Sequence, residues 1–590
     1  MGTLHLSSFL ALIALGSCSV VQLPGDQTFE LLILHNNDMH ARFEQTSQLS
    51  GICTTADRDA GKCYGGFPRV AYVVKEARQA AATGQGPPVL YLNAGDTYTG
   101  TAWFTIYKWK IAADFINALQ PDAVSLGNHE FDNEVDGLLP FIETLTCPVL
   151  AANLDLSRVP ALALELNLMD SVIFDVGGTK VGVIGYLTPE TKTLAIRNDV
   201  QYIEEKIAIK REVAKLKDKG VKILIALGHS GFQKDLDIAK NVEDIDLVIG
   251  GHTNTFLWNG TTPDVEASEG PYPYLVKQKS GRLVPVVQAY AYTKYLGRLH
   301  ITFNSDGEIV KFDGNPILLN NSIPQDPAVL EIVNRYRGDV NKLSNVVIGN
   351  TSVNLDGHSC KRNECNLGNL ITDAMVSKYA FEYTGDGWTD APIAITQAGS
   401  IRTSIVLINL PGNITYGHLV TVMPFSDILM KVTVTGTVIK NMLEHSVALY
   451  TKFKAPAQFL QMSGMKVEYD FDQLPGRRVH KVMILCGKCL IPRYSPLNET
   501  AEYNIIMPSF LYDGGDGYDV FDGLPVSPLS FDQVEASSFF LRRHSPVHSA
   551  VDGRINILNF DKFMNSGTNS KYPNVIYTAL SLLLVLGLMY

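Results

Sequence analysis

Five short β-rich or apolar runs in this chain each lead into a cluster of metal-liking side chains. The run 31–34 leads to Asp38-Met39-His40, and 89–92 to Gly95-Asp96. The run 123–126 leads to Gly127-Asn128-His129-Glu130-Phe131-Asp132, 223–227 to Gly228-His229, and 247–249 to Gly251-His252-Thr253-Asn254. Every cluster therefore falls at the C-terminal end of a predicted strand. In open α/β sheets the loops leaving parallel strands converge on one edge while helices cover the faces, so five loops can meet in one cleft.

Imidazole combined with carboxylate and amide oxygen suits zinc, manganese or iron, and a set without cysteine argues against a structural thiolate zinc site. Asp96 reads as the bridge. One carboxylate can span two cations about 3.5–4 Å apart, and such a pair can clamp a phosphoryl group while bringing a bound water's pKa near neutrality. The pattern is that of a two-metal phosphoesterase in which metal-activated water attacks phosphorus. One histidine taken alone is more often a satisfied core or surface residue; five coordinated clusters reverse that reading. His129 and Asp132 form a further pair. An imidazole oriented by a carboxylate three residues on can stay protonated and stabilise charge developing on phosphoryl oxygens without being a ligand.

On these motifs the chain resembles the 5′-nucleotidase family of the calcineurin-like metallophosphoesterases, and within it the animal ecto-5′-nucleotidases, over nearly all of its mature length. The resemblance implies an α/β fold with an N-terminal four-layer α/β/β/α metallophosphoesterase domain and a C-terminal α/β nucleotide-binding domain, joined by a connector helix. It implies two divalent metal ions, zinc being the expectation. Asp38, His40, Asp96 and Asn254 match one metal site, and Asp96, Asn128, His229 and His252 the other; His129 and Asp132 match the catalytic dyad.

In the second half the resemblance places Phe425, within Met423-Pro424-Phe425, and Phe510, within Met507-Pro508-Ser509-Phe510-Leu511, on either side of a nucleotide base. Stacking of this kind contributes about 1–3 kcal/mol per base and discriminates little among bases. Asp516, in Gly514-Gly515-Asp516-Gly517, is implied to bond the ribose hydroxyls, and Arg402 to grip phosphate with its planar fork. As bare residues, two phenylalanines are more often core, and the glycine-rich stretch a hairpin turn. Two positions depart from the family pattern: Gln397 stands where asparagine is usual, and Lys361 where arginine is usual. Lysine attracts phosphate as a point charge without bidentate geometry. The expected reaction is hydrolysis of nucleoside 5′-monophosphates such as AMP to nucleoside and phosphate. An apyrase that takes ATP and ADP is the alternative, and a non-catalytic nucleotide-binding surface protein a second.

With 590 residues, 46% of them apolar and 18% charged, the chain has room for two domains and an ample core. A net charge of -11 argues against polymeric nucleic acid as a partner, because that affinity depends on basic residues neutralising phosphates. The helical run 203–219, ending at Gly220 before strand 221–227, shows the βα alternation of the first half. Strand-like runs 393–396, 431–434 and 466–469 make the second half richer in β structure. Between the halves, Ile323-Pro324-Gln325-Asp326-Pro327 precedes an amphipathic stretch carrying Val329, Ile332, Val333 and Tyr336, which predicts a capped connector helix. The expected organisation is a metallophosphoesterase domain over 28–320, the connector over 324–343 and a substrate-binding domain over 344–555.

The two ends of the chain read as targeting segments. Residues 6–15 form a short apolar run followed by Gly16-Ser17-Cys18-Ser19, expected to be a secretory signal spanning 1–19, with a lipidated Cys18 as the alternative. Residues 575–590 are uncharged, fall short of the roughly 20 apolar residues a membrane span wants, and follow Asn565-Ser566-Gly567-Thr568 and a polar spacer. They read as a glycosylphosphatidylinositol (GPI) signal, with attachment near Asn565 or Ser566 and removal of 566–590. The expected location is extracellular, on a cell membrane through the lipid anchor.

Of eight cysteines, six form pairs close in sequence: Cys53 with Cys63, Cys360 with Cys365, and Cys486 with Cys489. In an oxidising compartment these are expected disulfides at places where the family pairs its cysteines. Cys486-Gly487-Lys488-Cys489 taken alone could also be a redox motif or half a zinc site. With Cys18 in the expected signal segment, Cys147 is left over. Two further family bridges are missing as whole pairs, Thr372 and Ala394 standing in place of one and the loop around Thr101 lacking the other. Sequons at Asn259, Asn320, Asn350, Asn413 and Asn498 fit secretion. The resemblance also implies a homodimer.

Overall fold

The computed structural model describes residues 28–195, 198–407, 409–425, 427–451 and 455–565. The expected signal segment 1–19 and anchor segment 566–590 lie outside them. No helix among the described residues is long and apolar enough to cross a membrane.

Beside a two-stranded sheet of Leu154–Asp155 and Gln201–Tyr202, the first half of the chain builds two large sheets. In one, Phe29–Asn36, Val89–Asn93, Ala123–Ser125, Val149–Leu150 and Leu168–Met169 lie parallel in that order. Tyr295–Phe303 and then Ile309–Gly314 extend this sheet antiparallel beside Phe29–Asn36. In the other, Thr179–Leu187, Ile223–His229, Leu247–Ile249 and Leu283–Val287 are parallel, with Ser171–Val176 and Tyr274–Lys277 antiparallel at the edges.

Successive side chains on a strand point to opposite faces, which decides the layering. Leu31 and Ile33 share a buried core with Ile225, Leu227 and Ile249 of the second sheet. Leu32 and Leu34 belong instead to a core with Val70, Val74, Phe115 and Ile116, from helices Phe67–Ala82 and Trp109–Leu119. The second sheet mirrors this: Leu224, Ala226 and Val248 share a core with Ala208, Ile209, Leu216 and Ile238, from helices Glu205–Asp218 and Phe232–Asn241. The layers run α/β/β/α. Both faces of the central strands are dry, which is why they read as continuous apolar runs rather than as alternating ones.

The helix Pro327–Ser344 carries the chain from these sheets to the second half. It starts later than residue 324 because Asp326, which precedes a proline, is held extended at φ -60° and ψ 123°. The same residue caps the helix, its Oδ1 accepting the Val329 N–H at 3.0 Å. Val329, Val333 and Val340 form its buried stripe. Beyond it, a five-stranded sheet runs in the order Leu460–Ser463, Ile393–Gln397, Glu502–Pro508, Ile428–Thr435, Val526–Asp532, and shares its core with helices Asn366–Glu382 and Gln533–His544. A four-stranded sheet orders Tyr494–Pro496, Val479–Leu485, Met465–Asp470 and Ile555–Leu558.

The three expected cysteine pairs are bonded, and the Cys486–Cys489 bond leaves no thiolate there to hold zinc. Cys147 is free and buried, and burial pushes its thiol up to about 12, so it is inert as a nucleophile.

Candidate metal and active site

The loops leaving five parallel strands converge on Asp96. His229 Nε2 lies 2.8 Å from Asp96 Oδ2, and His40 Nε2 lies 3.8 Å from the same oxygen. Asp38 Oδ1 stands 3.7 Å from His229 Nε2 and 3.8 Å from His40 Nε2. The backbone N–H of His252 donates to Asp38 Oδ2 at 2.9 Å, and the His252 ring meets Asn128 Oδ1 at 3.0 Å. Donor atoms of His40, Asp96 and His129 lie within 4.8 Å of one another, as do those of Asp96, His229 and His252. Asp96 is common to both groups. His229 belongs to its strand rather than to the loop after it, because Ile223–His229 stays paired with Thr179–Leu187 through its last residue.

Hydrogen bonding inside this cluster leaves the wrong inventory for a dry interior. His40 and His229 each direct Nδ1 at a backbone oxygen, Thr99 at 3.0 Å and Ala94 at 2.7 Å. That bond places the proton on Nδ1 and leaves the Nε2 lone pair facing the cluster. His229 Nε2, Asp38 Oδ1 and Asn254 Oδ1 are buried without a hydrogen-bond partner. Acceptors crowded like this are unfavourable unless a proton or a cation sits among them. Burial pulls His229 down, yet Asp96 and Asp38 outweigh it and push the imidazole up to about 10. Burial likewise raises Asp38 to about 6 against the pull of His229. A set of imidazole, carboxylate and amide donors with this surplus of negative charge fits divalent cations.

The loops hold their donors at a conformational cost. Asp38, His40, Asp96, His252 and Asn254 have φ of 49°, 46°, 57°, 75° and 54°, left-handed values that non-glycine residues rarely adopt. Each costs of order 1–3 kcal/mol and persists only where surrounding structure dictates it. Glu130 supplies much of that surrounding structure. This fully buried carboxylate accepts backbone N–H bonds from Gly127 at 2.7 Å, Asp96 at 3.0 Å, Thr97 at 2.7 Å and Tyr98 at 3.2 Å, pinning two metal-facing loops together. Sequence reasoning gave it no role, although it lies inside the third cluster. Asn37, whose Nδ2 donates to Asp38 Oδ2 at 2.7 Å, and Tyr292, whose N–H donates to the Asp38 carbonyl at 2.8 Å, were also missed. At Gly251 a Cβ would stand 2.7 Å from His229 Nδ1, so only glycine lets that loop close over the histidine.

His129 donates its backbone N–H to Asp96 Oδ1 at 2.9 Å, and its ring Nδ1 meets Asp132 Oδ2 at 2.7 Å. Burial opposes its charge, but Asp132 and Asp96 prevail and hold the imidazole above its ordinary pKa. The second half of the chain reaches this point. Phe425 stacks on the His129 ring at 5.5 Å and 26°, and Arg402 Nη2 lies 3.0 Å from His40 Nε2. The Arg402 guanidinium also sits 5.9 Å from the Phe425 ring centre. Lys361 is lowered to about 8, by the protein around its ammonium and then by Arg402, although its side chain keeps an exposed flank. Burial raises Asp516 to about 6, with Lys361 opposing. Gln397 ends its strand with Oε1 buried and unpartnered, and Phe510 lies on the short helix Ser509–Tyr512 against the Gly515 backbone.

Sheets, loop order and donor set together define a metallophosphoesterase. Residues 31–256 match the calcineurin-like phosphoesterase family model, and residues 347–523 match the 5′-nucleotidase C-terminal domain. Protein 5NUC of Lutzomyia longipalpis is 46% identical over 539 residues, covering 90% of this chain and 94% of its own length. The 5′-nucleotidase of Homo sapiens is 41% identical over 549 residues, covering 92% and 93%. Among solved structures, a 5′-nucleotidase precursor from Thermus thermophilus superposes with a TM-score of 0.80 at 31% identity, covering 90% of this chain and all of that one. The chain belongs to the 5′-nucleotidase family.

Proposed function

We propose that this protein hydrolyses nucleoside 5′-monophosphates, AMP among them, to nucleoside and phosphate. The observation that carries this reading is the meeting of Phe425 and Arg402 with His129 and His40: an aromatic ring and a guanidinium from the second half of the chain stand directly against the polar cluster. Relatives named 5′-nucleotidase at 41% identity support the same substrate class.

In this reading Asp38, His40, Asp96 and Asn254 hold one divalent cation, and Asp96, Asn128, His229 and His252 the other, zinc being the preferred ion. When bound, such a pair supplies Lewis acidity and lowers the pKa of water. The chain's own groups do the rest. Arg402 donates its planar N–H fork to phosphate oxygens and Lys361 adds a second positive charge. His129, kept protonated by Asp132, donates from Nε2 to a phosphoryl oxygen as charge builds there, while water adds to phosphorus and the bond to the nucleoside 5′-oxygen breaks. Phe425 and Phe510 stack the base, Asp516 takes the ribose hydroxyls, and Gln397 presents its free amide oxygen to the bound nucleotide.

The same reading assigns residues 28–320 to hydrolysis, 324–343 to the connector and 344–555 to nucleotide binding. It places the enzyme outside the cell, GPI-anchored near Asn565 or Ser566, as a homodimer. Release from cells by a phosphatidylinositol-specific phospholipase, followed by sedimentation of the released protein, tests anchor and dimer together. The activity is tested by phosphate release from AMP, ADP and ATP after chelation and zinc restoration. Metal-dependent release from AMP supports the proposal. Release from ATP and ADP alone makes the protein an apyrase, and no release at all makes it a nucleotide binder.

A further inference from the structure

A cavity of about 70 Å³ lies where the loop 41–46, the helix Ala102–Tyr107, the helix Pro327–Ser344 and the helix Tyr416–Val422 meet. None of the proposed metal-holding or nucleotide-binding residues lines it. The volume suits an oxyanion of phosphate size or a few waters.

Its wall carries one unmatched charge. Arg42 is 2% exposed; its Nη1 donates to the His40 carbonyl at 2.8 Å, and its guanidinium lies 4.4 Å from the Tyr292 ring centre. Its Nε and Nη2 are buried without a hydrogen-bond partner, and no carboxylate lies within ion-pair distance of it among the described residues. Glu44 is the one acid on the cavity wall, and Arg337 already engages it, with Nε and Nη2 at 3.2 and 3.1 Å from its Oε2. Ser50, 3% exposed, adds a buried hydroxyl that also lacks a partner. Buried guanidinium N–H groups left this way are strongly unfavourable without an acceptor.

We propose that this cavity is a second anion site, separate from the nucleotide cleft, which takes a phosphate-sized oxyanion on Arg42 and Ser50 and modulates turnover. Its two walls reach the chemistry by separate routes. Arg42 is bonded to the backbone of His40. On the opposite wall, Thr421 precedes Val422, whose carbonyl accepts the Arg402 N–H at 2.8 Å. An occupant that shifts either wall therefore bears on a proposed metal ligand and on the phosphate-binding arginine. For binding such coupling is reciprocal: any factor by which the oxyanion changes nucleotide affinity is the factor by which nucleotide changes oxyanion affinity.

Selenate is the probe, because it matches sulfate in shape and scatters anomalously. Crystals of the metal-loaded protein soaked in selenate are expected to show an anomalous peak beside Arg42 and Ser50. In solution, sulfate is expected to lower kcat for AMP at saturating AMP by about fivefold or more. Asn341→Trp fills the cavity from the exposed side of its helix, and it is expected to abolish both the peak and the sulfate effect on kcat. Selenate found only in the nucleotide cleft or on the outer surface overturns the proposal, as does inhibition that is purely competitive with AMP and identical in Asn341→Trp. If that variant does not fold, Ser50→Ala with the wild-type map decides. The map reads the site even if AMP is not the substrate, so failure of the hydrolytic reading and failure of this one are separable.

Discussion

Arg402 Nη2 lies 3.0 Å from His40 Nε2, joining positions 362 residues apart in sequence. A guanidinium only donates, so His40 Nε2 accepts, and the imidazole is the neutral form with its proton on Nδ1 toward Thr99. Burial first, and the Arg402 charge second, hold His40 well below its ordinary pKa in agreement. In the proposed function the Nε2 lone pair goes to the cation held by His40, which frees the Arg402 fork for phosphate.

Arg402→Ala is expected to lower kcat/KM for AMP by about 10- to 150-fold, the loss of a charged hydrogen-bond pair of about 1.5–3 kcal/mol. Arg402→Lys should recover only a fraction, because an ammonium lacks the planar fork. Equal activity of the lysine variant and the native protein would refute bidentate phosphate binding there.

His129→Ala is expected to lower kcat by about 10²- to 10³-fold while adenosine still binds, measured by calorimetry. Asp132→Asn keeps the imidazole and its orientation, so its loss should be smaller. Undiminished kcat in His129→Ala would remove this residue from the chemistry.

Glu130→Gln keeps one oxygen acceptor but turns an N–H group toward two of the four backbone N–H donors. Stranding buried donors costs about 1–3 kcal/mol each, so the variant should melt lower than the native protein even after chelation. It should also bind less than its full complement of zinc by elemental analysis, since Glu130 ties the Asp96 loop to the Asn128 loop. A native melting curve with full metal content would show that Glu130 is dispensable.

In the proposed function Lys361 would give AMP binding a pH limit that an arginine would not. With its ammonium lowered to about 8, it is charged below that pH and neutral above it. KM for AMP is expected to rise as pH climbs through 8, and Lys361→Arg should flatten the rise. Parallel KM profiles for the two proteins would exclude Lys361 from phosphate binding.

Asp246 links stability to pH away from the site. It is buried, accepts the Leu224 N–H at 2.7 Å and faces Arg282 at 3.0 Å, yet burial raises it to about 7. A carboxyl with a higher pKa folded than unfolded favours folding most when protonated. Its contribution therefore declines as pH rises from about 4 to 7, by at most about 1.4 kcal/mol per unit, and is level above 7. Asp246→Asn should gain on the native protein across that window in denaturant titrations. A constant difference between the two would show that Asp246 titrates normally.

The strands that carry the site were legible because both of their faces are dry. The runs read at 31–34, 89–92 and 223–227 fall inside Phe29–Asn36, Val89–Asn93 and Ile223–His229, and Leu247–Ile249 has the expected bounds. Helix 203–219 is realised as Glu205–Asp218, ended by the left-handed Gly220. The supports around the donors were not legible. Glu130, Asn37 and Tyr292 act through backbone groups of other loops, and nothing in a local pattern says which loop a carboxylate or amide will reach.

What the sequence determined by itself is local chemistry: which residue types can hold a cation or orient an imidazole, and which runs are apolar enough to be buried strands. The tertiary structure alone decided how those pieces combine. Two sheets stacked on the faces of Leu31 and Ile33 bring His229 and Asp96 to 2.8 Å from positions far apart in the chain. Packing of the second half then sets Arg402 and Phe425 on His40 and His129. Side-chain periodicity is a property of neighbours in sequence, whereas a site is a property of neighbours in space. Only the burial of the layers against one another converts the first into the second.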